Sequence, residues 1–152
     1  MKKYTLKNVM DEQAAHDNIS EMTQKKIQSI LKNQLETEVL EEEPGYVLFK
    51  YSNTKMALYP DEEFNRMRII APITQYSCLA PKIKDSLMDA NFHSALDCRY
   101  GVTDDTLYAL FLHPLSSLIK EDFISALKQV HNLAKSFGKT YSSAQIAFTK
   151  KK

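Results

Sequence analysis

Glycine is scarce in this chain of 152 residues: there are three, Gly45, Gly101 and Gly138. A phosphate-cradling loop needs closely spaced glycines, so that backbone N–H groups can approach the anion. These three stand 56 and 37 residues apart, which excludes Walker-type and dinucleotide-type loops. Cysteine is nearly absent as well. Cys78 and Cys98 lie 20 residues apart, a spacing that matches no zinc-site pattern. No run approaches the roughly 20 apolar residues of a membrane helix. No apolar stretch of signal-peptide length follows Lys2-Lys3. Nor does one charge dominate. Lys plus Arg number 20 and Asp plus Glu 19, so the formal net charge is +1 and exerts no strong long-range pull on nucleic acid or anionic membrane. The expectation is a cytoplasmic protein with free thiols, no catalytic, metal or cofactor site, and no nucleic-acid or membrane partner.

What is present is an ordinary globular composition, 43% apolar and 26% charged. A chain of this size can bury about 68–70% of the surface its unfolded form exposes, enough for one core without staples. The short charge blocks, Glu41-Glu42-Glu43 and Lys150-Lys151-Lys152, sit at a boundary or an end and read as solvated. Three parts are expected: a polar N-terminal arm over residues 1–19, a single α+β domain over 20–139, and a basic tail over 140–152.

Hydrophobic period locates the elements. Ser20 suits a helix N-cap, and Ile27, Ile30, Leu31, Leu35 and Val39 follow helical spacing. This predicts an amphipathic helix of about six turns, stopped at Glu43-Pro44-Gly45. Three strands follow: Tyr46–Tyr51, Lys55–Tyr59 ended by Pro60-Asp61, and Arg66–Ala71, joined by short turns as an antiparallel meander. Pro81 opens a second helix carrying Ile83, Leu87 and Ala90, with Met88 at one edge and Asn91 as a left-handed cap. Leu96, Cys98, Tyr100 and Val102 alternate as a strand, Thr103-Asp104-Asp105-Thr106 turns, and Leu107–Leu112 is an apolar strand covered on both faces or central. A last helix runs from Lys120 to Phe137 and closes at Gly138. The order is α-β-β-β-α-β-β-α, an α+β fold with three helices and a five-stranded antiparallel sheet.

No reaction signature emerges. His16, His93, His113 and His131 have no second ligand at metal spacing and read as packed or surface residues. A Cys–His nucleophile pair drawn from Cys98 or Cys78 would place Cys98 on the apolar face of a strand, where a thiol is inert. Asp104-Asp105 sits where a hairpin wants aspartate for backbone reasons. Arg66, Arg68 and Arg99 share a sheet face with Lys50; they are candidates for contact with a client or an anion, although the solvated side of a half-buried sheet accounts for them better. The aromatics Tyr46, Phe49, Tyr51 and Tyr59 carry no ribonucleoprotein-type motif. Gly101, alone inside a strand, suggests a bulge or a close backbone approach. What remains is apolar surface, since one sheet with helices on one face leaves its second face to a partner.

The element order resembles the fold shared by type III secretion chaperones and the YbjN domain family. The sequence resemblance covers roughly residues 45 to 140. It rests on Asn65–Pro72, on Ala90-Asn91-Phe92 leading to Ala95–Tyr100, on His113–Leu118, and on Leu133–Gly138. This resemblance implies a small cytoplasmic protein, a homodimer formed through the second helix and neighbouring strands, and apolar grooves that hold an extended client or effector segment. Carried onto this chain, the dimer contacts would be Ile83, Leu87 and Met88. The YbjN side of the resemblance implies instead a regulatory or small-ligand-binding domain.

Overall fold

The computed structural model describes residues 21–144; the arm expected over residues 1–19 and the tri-lysine end lie outside the described residues. In chain order the elements are α1 (Gln24–Lys32), β1 (Thr37–Glu43), β2 (Tyr46–Tyr51), β3 (Thr54–Asp61), β4 (Arg66–Gln75), a single 3-10 turn (Tyr76–Cys78), α2 (Pro81–His93), β5 (Arg99–Thr103), β6 (Thr106–His113) and α3 (Lys120–Lys135). One sheet has the order β1-β2-β3-β4-β6-β5, antiparallel throughout. The class is the expected α+β with three helices; the sheet has six strands rather than five.

The extra strand comes out of the expected first helix. That helix has nine residues, not six turns, and its N-cap is Thr23 rather than Ser20. Ile27 and Leu31 are buried, but Leu35 is fully exposed and Thr37–Glu43 is strand. Leu35 and Val39 keep helical spacing and the glutamates are good helix formers, so the local signal favours helix. Pro44-Gly45, with Gly45 at φ +76°, folds the segment back onto β2, where it gains a ladder partner at nearly every residue. Tertiary pairing overrides the propensity.

The other turns follow local chemistry. Ser52-Asn53 and Asp104-Asp105 all have positive φ, between +47° and +66°, as a two-residue hairpin demands. Pro60, expected to end its strand, is instead buried within β3 opposite Met67. By register its missing N–H faces the β2 side, where β2 has already ended, so no ladder bond is lost. β6 lies inside the sheet, between β4 and β5, but is not covered on both faces: its residues alternate between buried and half-buried or exposed.

The core lies on one face of the sheet. Val47, Phe49, Met56, Leu58, Met67, Ile69, Ala71, Leu107, Ala109 and Phe111 pack with Ile27 and Leu31 of α1, Leu87 and Ala90 of α2, and Phe123, Leu127, Val130 and Leu133 of α3. Each fully buried side chain of this size is worth about 1.5–3 kcal/mol of transfer free energy. Gly101 makes the close approach its position suggests: a Cβ there would stand 2.6 Å from Leu110 Cδ2. After Gly138, at φ +78°, the chain does not leave the domain at once. Ser143 N–H donates to the Ser94 carbonyl (3.2 Å), and Asn132 Nδ2 donates to the Ser143 carbonyl (3.1 Å).

Asn91 is not a helix cap. α2 continues to His93, and the Asn91 side chain reaches the free edge of β5. Its Oδ1 accepts from Tyr100 N–H at 2.7 Å and its Nδ2 donates to the Tyr100 carbonyl at 3.1 Å. The left-handed residue is Leu96, at φ +53°, which delays β5 to Arg99 and leaves Leu96 exposed. Asn91→Ala removes both bonds from a part-buried strand edge. It is expected to cost about 1–3 kcal/mol in urea unfolding. A cost below about 0.5 kcal/mol, the low end for a net hydrogen bond, would show that water replaces the amide.

Candidate functional site

The period of two that fills the core sets the opposite face as well. Register aligns Glu41, Leu48, Ala57, Ile70, Leu110 and Arg99 in one line across all six strands. A second line holds Glu43, Tyr46, Tyr59, Arg68 and Leu112. A third begins Glu38, Lys50, Lys55. The three helices of the described residues contribute their buried residues to the cluster on the other side, so among the described residues no helix covers these rows. Leu48, Ile70 and Leu110 are half-buried, while Tyr59 and Leu112 are exposed. The Tyr46 and Tyr59 rings pack at 5.4 Å between centroids. Burial, then the neighbouring Glu41, Tyr59 and Glu43, push the Tyr46 phenol pKa up.

Arg66, Arg68 and Arg99 all lie exposed on this open face, with Lys50. The face is not a plain polar one, because the apolar band runs between the charges. Among the described residues no carboxylate stands within 4.0 Å of Arg66, Arg68, Lys50 or Lys55. Arg66 donates to the Asn65 carbonyl, and Arg99 folds over its own turn onto the carbonyls of Leu96 and Cys98.

α2 supplies a second apolar surface. Leu87 is 4% exposed and faces the protomer's own core, so a second protein cannot reach it without unfolding the helix. Ile83 is half-buried, whereas Met88 is 70% exposed and Phe92, one turn further on, is 84% exposed. Phe92 was legible only as part of a longer helix than the sequence suggested.

Titratable groups meet in one cleft of about 480 Å³, lined by Asp97, Arg99, His113, Asp122, Ser125 and Gln129. Most are already engaged. Gln129 accepts from Asp97 N–H and donates to Asp97 Oδ2, and His113 Nδ1 lies 2.7 Å from the Pro114 carbonyl. No hydrogen bond joins His113 to Asp97 or Asp122, and among the described residues no three His, Cys, Asp or Glu converge as metal ligands. Cys98 is buried, and burial pushes its thiol up to about 12, which keeps it protonated. Asp105 serves its turn: its carboxylate accepts from Ser77 N–H, Ser77 Oγ and Gln75 Nε2, bonds that hold its pKa down. Among the described residues no helix is long and apolar enough to cross a membrane.

Two solved structures contain chains of this fold. A chain of the HopA1–SchA chaperone–effector complex superposes with a TM-score of 0.55 at 10% identity, covering 89% of this chain and 98% of that one. A chain of the ExsC–ExsE complex gives a TM-score of 0.50 at 15% identity, covering 76% and 92%. No protein-family model matches the sequence, and no curated protein matches it. At such identities the likeness establishes the fold, an α+β architecture shared with a chain from a chaperone–effector complex.

His131 joins α3 to the sheet. Its Nδ1 lies 2.6 Å from Thr54 Oγ1 and its ring meets Tyr51 edge-on. Burial, then Lys135, depress its pKa, against a smaller opposing pull from Glu36. A depressed histidine binds a proton more readily in the unfolded chain. Its contribution is full above the unfolded value of about 6.5 and is lost as pH falls below it. Thermal melts from pH 7.5 to 5.5 should therefore show a falling Tm that flattens in His131→Gln. An identical slope in both proteins would count against the assignment.

Proposed function

We propose that this chain is a non-enzymatic protein-binding domain, chaperone-like or adaptor-like, that works in the cytoplasm as a homodimer. It holds a segment of a client or effector against its apolar surfaces. The observation that carries the reading is the band Leu48, Ala57, Ile70, Leu110 and Leu112, which no helix of the described residues covers, in a fold shared with a chain from a chaperone–effector complex. A contiguous apolar patch rimmed by charge is the mark of an interaction surface. Its side chains are presented by a six-stranded sheet and are held in place by the core behind them.

The two surfaces suit two partners. On α2, Met88 and Phe92 form a narrow apolar ridge, and a two-fold axis can pair such a ridge with its own copy. A stable pairing buries roughly 1,200–2,000 Å² in total, so neighbouring strand residues would join it. The open sheet face is then left for the client.

The YbjN-like alternative is favoured by one observation, the polar cleft beside α3. Its volume of about 480 Å³ falls within the roughly 300–1,000 Å³ of ligand pockets. A small polar ligand bound there would raise Tm by mass action.

Light scattering at high protein concentration should give twice the 17.5 kDa chain mass. Met88→Asp and Phe92→Asp each touch exposed positions, so they should yield monomer with Tm nearly unchanged. Leu87→Asp should instead unfold the domain, since it places a charge in the core. A wild-type protein that stays monomeric would remove the homodimer. In pull-downs from the native host, a client lost on Leu110→Asp but kept on Phe92→Asp would support the division of surfaces.

A further inference from the structure

The geometry points to the chemistry of the client segment: a short extended peptide with a basic end, an apolar middle and an acidic end, laid across the open sheet face from β1 to β5. It rests on the reading of that face as the client surface. The line Glu41, Leu48, Ala57, Ile70, Leu110, Arg99 puts a carboxylate at one end, a guanidinium at the other and four apolar side chains between them. The next line runs from Glu43 through Tyr46 and Tyr59 to Arg68, with Leu112 beyond it on β6.

The two ends do not satisfy each other. Five strand spacings of about 4.8 Å separate them, about 24 Å in all. That is well beyond the screening length of about 8 Å at physiological salt. Each end is therefore free to select the opposite charge on a partner, and the charge order sets the partner's direction as well as its composition. An extended chain crosses about 24 Å with roughly seven residues.

Backbone pairing at either sheet edge is disfavoured, which leaves the face. β1 carries four glutamates and a register shift between Val39 and Glu41, both of which blunt an edge. At the other edge the Asn91 amide already occupies the Tyr100 N–H and carbonyl. A nucleic acid fits poorly, since the glutamate half repels phosphate.

A phage-displayed library of random peptides panned on the full chain tests this whatever the client's identity. The expected enriched sequences have Lys or Arg at one end, Asp or Glu at the other and apolar residues between. A synthetic copy of the best sequence should bind Arg68→Glu at least ten-fold more weakly at low salt. Replacing its acidic residues by lysine should restore binding to that variant. Arg68 is exposed, so the variant keeps its fold. Enriched sequences without ordered charge, or an affinity indifferent to Arg68→Glu, would overturn the inference. So would binding of a polyuridine oligonucleotide that Arg68→Glu abolishes. Leu110→Asp separates the two levels. Binding lost on Leu110→Asp but unmoved by Arg68→Glu leaves the client face standing and removes its charge order. Binding indifferent to both removes the face itself.

Discussion

The packing of α3 against β4 and β6 is the contact on which the rest of the molecule depends. Phe123, Leu127, Val130 and Leu133 are fully buried there, in one cluster with Ile69, Ala71 and Ala109 of those two strands. α1 and α2 extend the same layer towards the two sheet edges with far fewer buried residues, Ile27 and Leu31 on one, Leu87 and Ala90 on the other. Among the described residues all helical cover therefore goes to one side. Those residues form two layers, and a two-layer arrangement with a six-stranded sheet leaves one face of that sheet outward. The open band is a consequence of where the helices go, and its apolar character is what sets it apart from a solvated sheet face.

Much of this was legible in the sequence because alternation survives without context. Met67, Ile69 and Ala71 against Arg66 and Arg68 gave the two faces of β4, and the stripe Phe123, Leu127, Val130 gave α3. What failed did so where local and distant signals disagree. Thr37–Glu43 has helix-forming residues at helical spacing, and only its pairing with β2 makes it a strand. Leu96 alternates correctly with Cys98 and Tyr100, yet it turns into a left-handed conformation. Its preceding helix must reach His93 before the chain can swing under to β5. Asn91 looked like a cap because caps are where asparagine is common; its bond to Tyr100 spans nine residues, and no local pattern announces it.

The candidate site was half legible for the same reason. Placing Arg66, Arg68 and Arg99 on one face needs only strand parity. Aligning them with leucines and with glutamates needs the strand order, and β1 was missing from that order. Among the α2 positions, Leu87 belonged to the helix's inward face. The outward ridge of Met88 and Phe92 could be seen only once the helix was known to pass Asn91.

The charge order of the open face depends on one irregularity. Along β1, Val39 faces the core side opposite Phe49, and the register then shifts before Glu41. The extra residue, Leu40, reverses the parity of everything after it. Glu41 and Glu43 thereby point to the open face, beside Leu48 and Tyr46, while Glu42 points to the helix side, where its carboxylate meets Lys32 Nζ at 3.0 Å. In an unbroken strand Glu42 would face outward alone, and two carboxylates would turn towards the layer that holds Ile27 and Leu31. The bulge thus does two things at once: it leaves one carboxylate rather than two on the helix side, where Lys32 meets it, and it sets a pair of acids at one end of the apolar band. The polarity of the face is fixed by the same register that fixes the core.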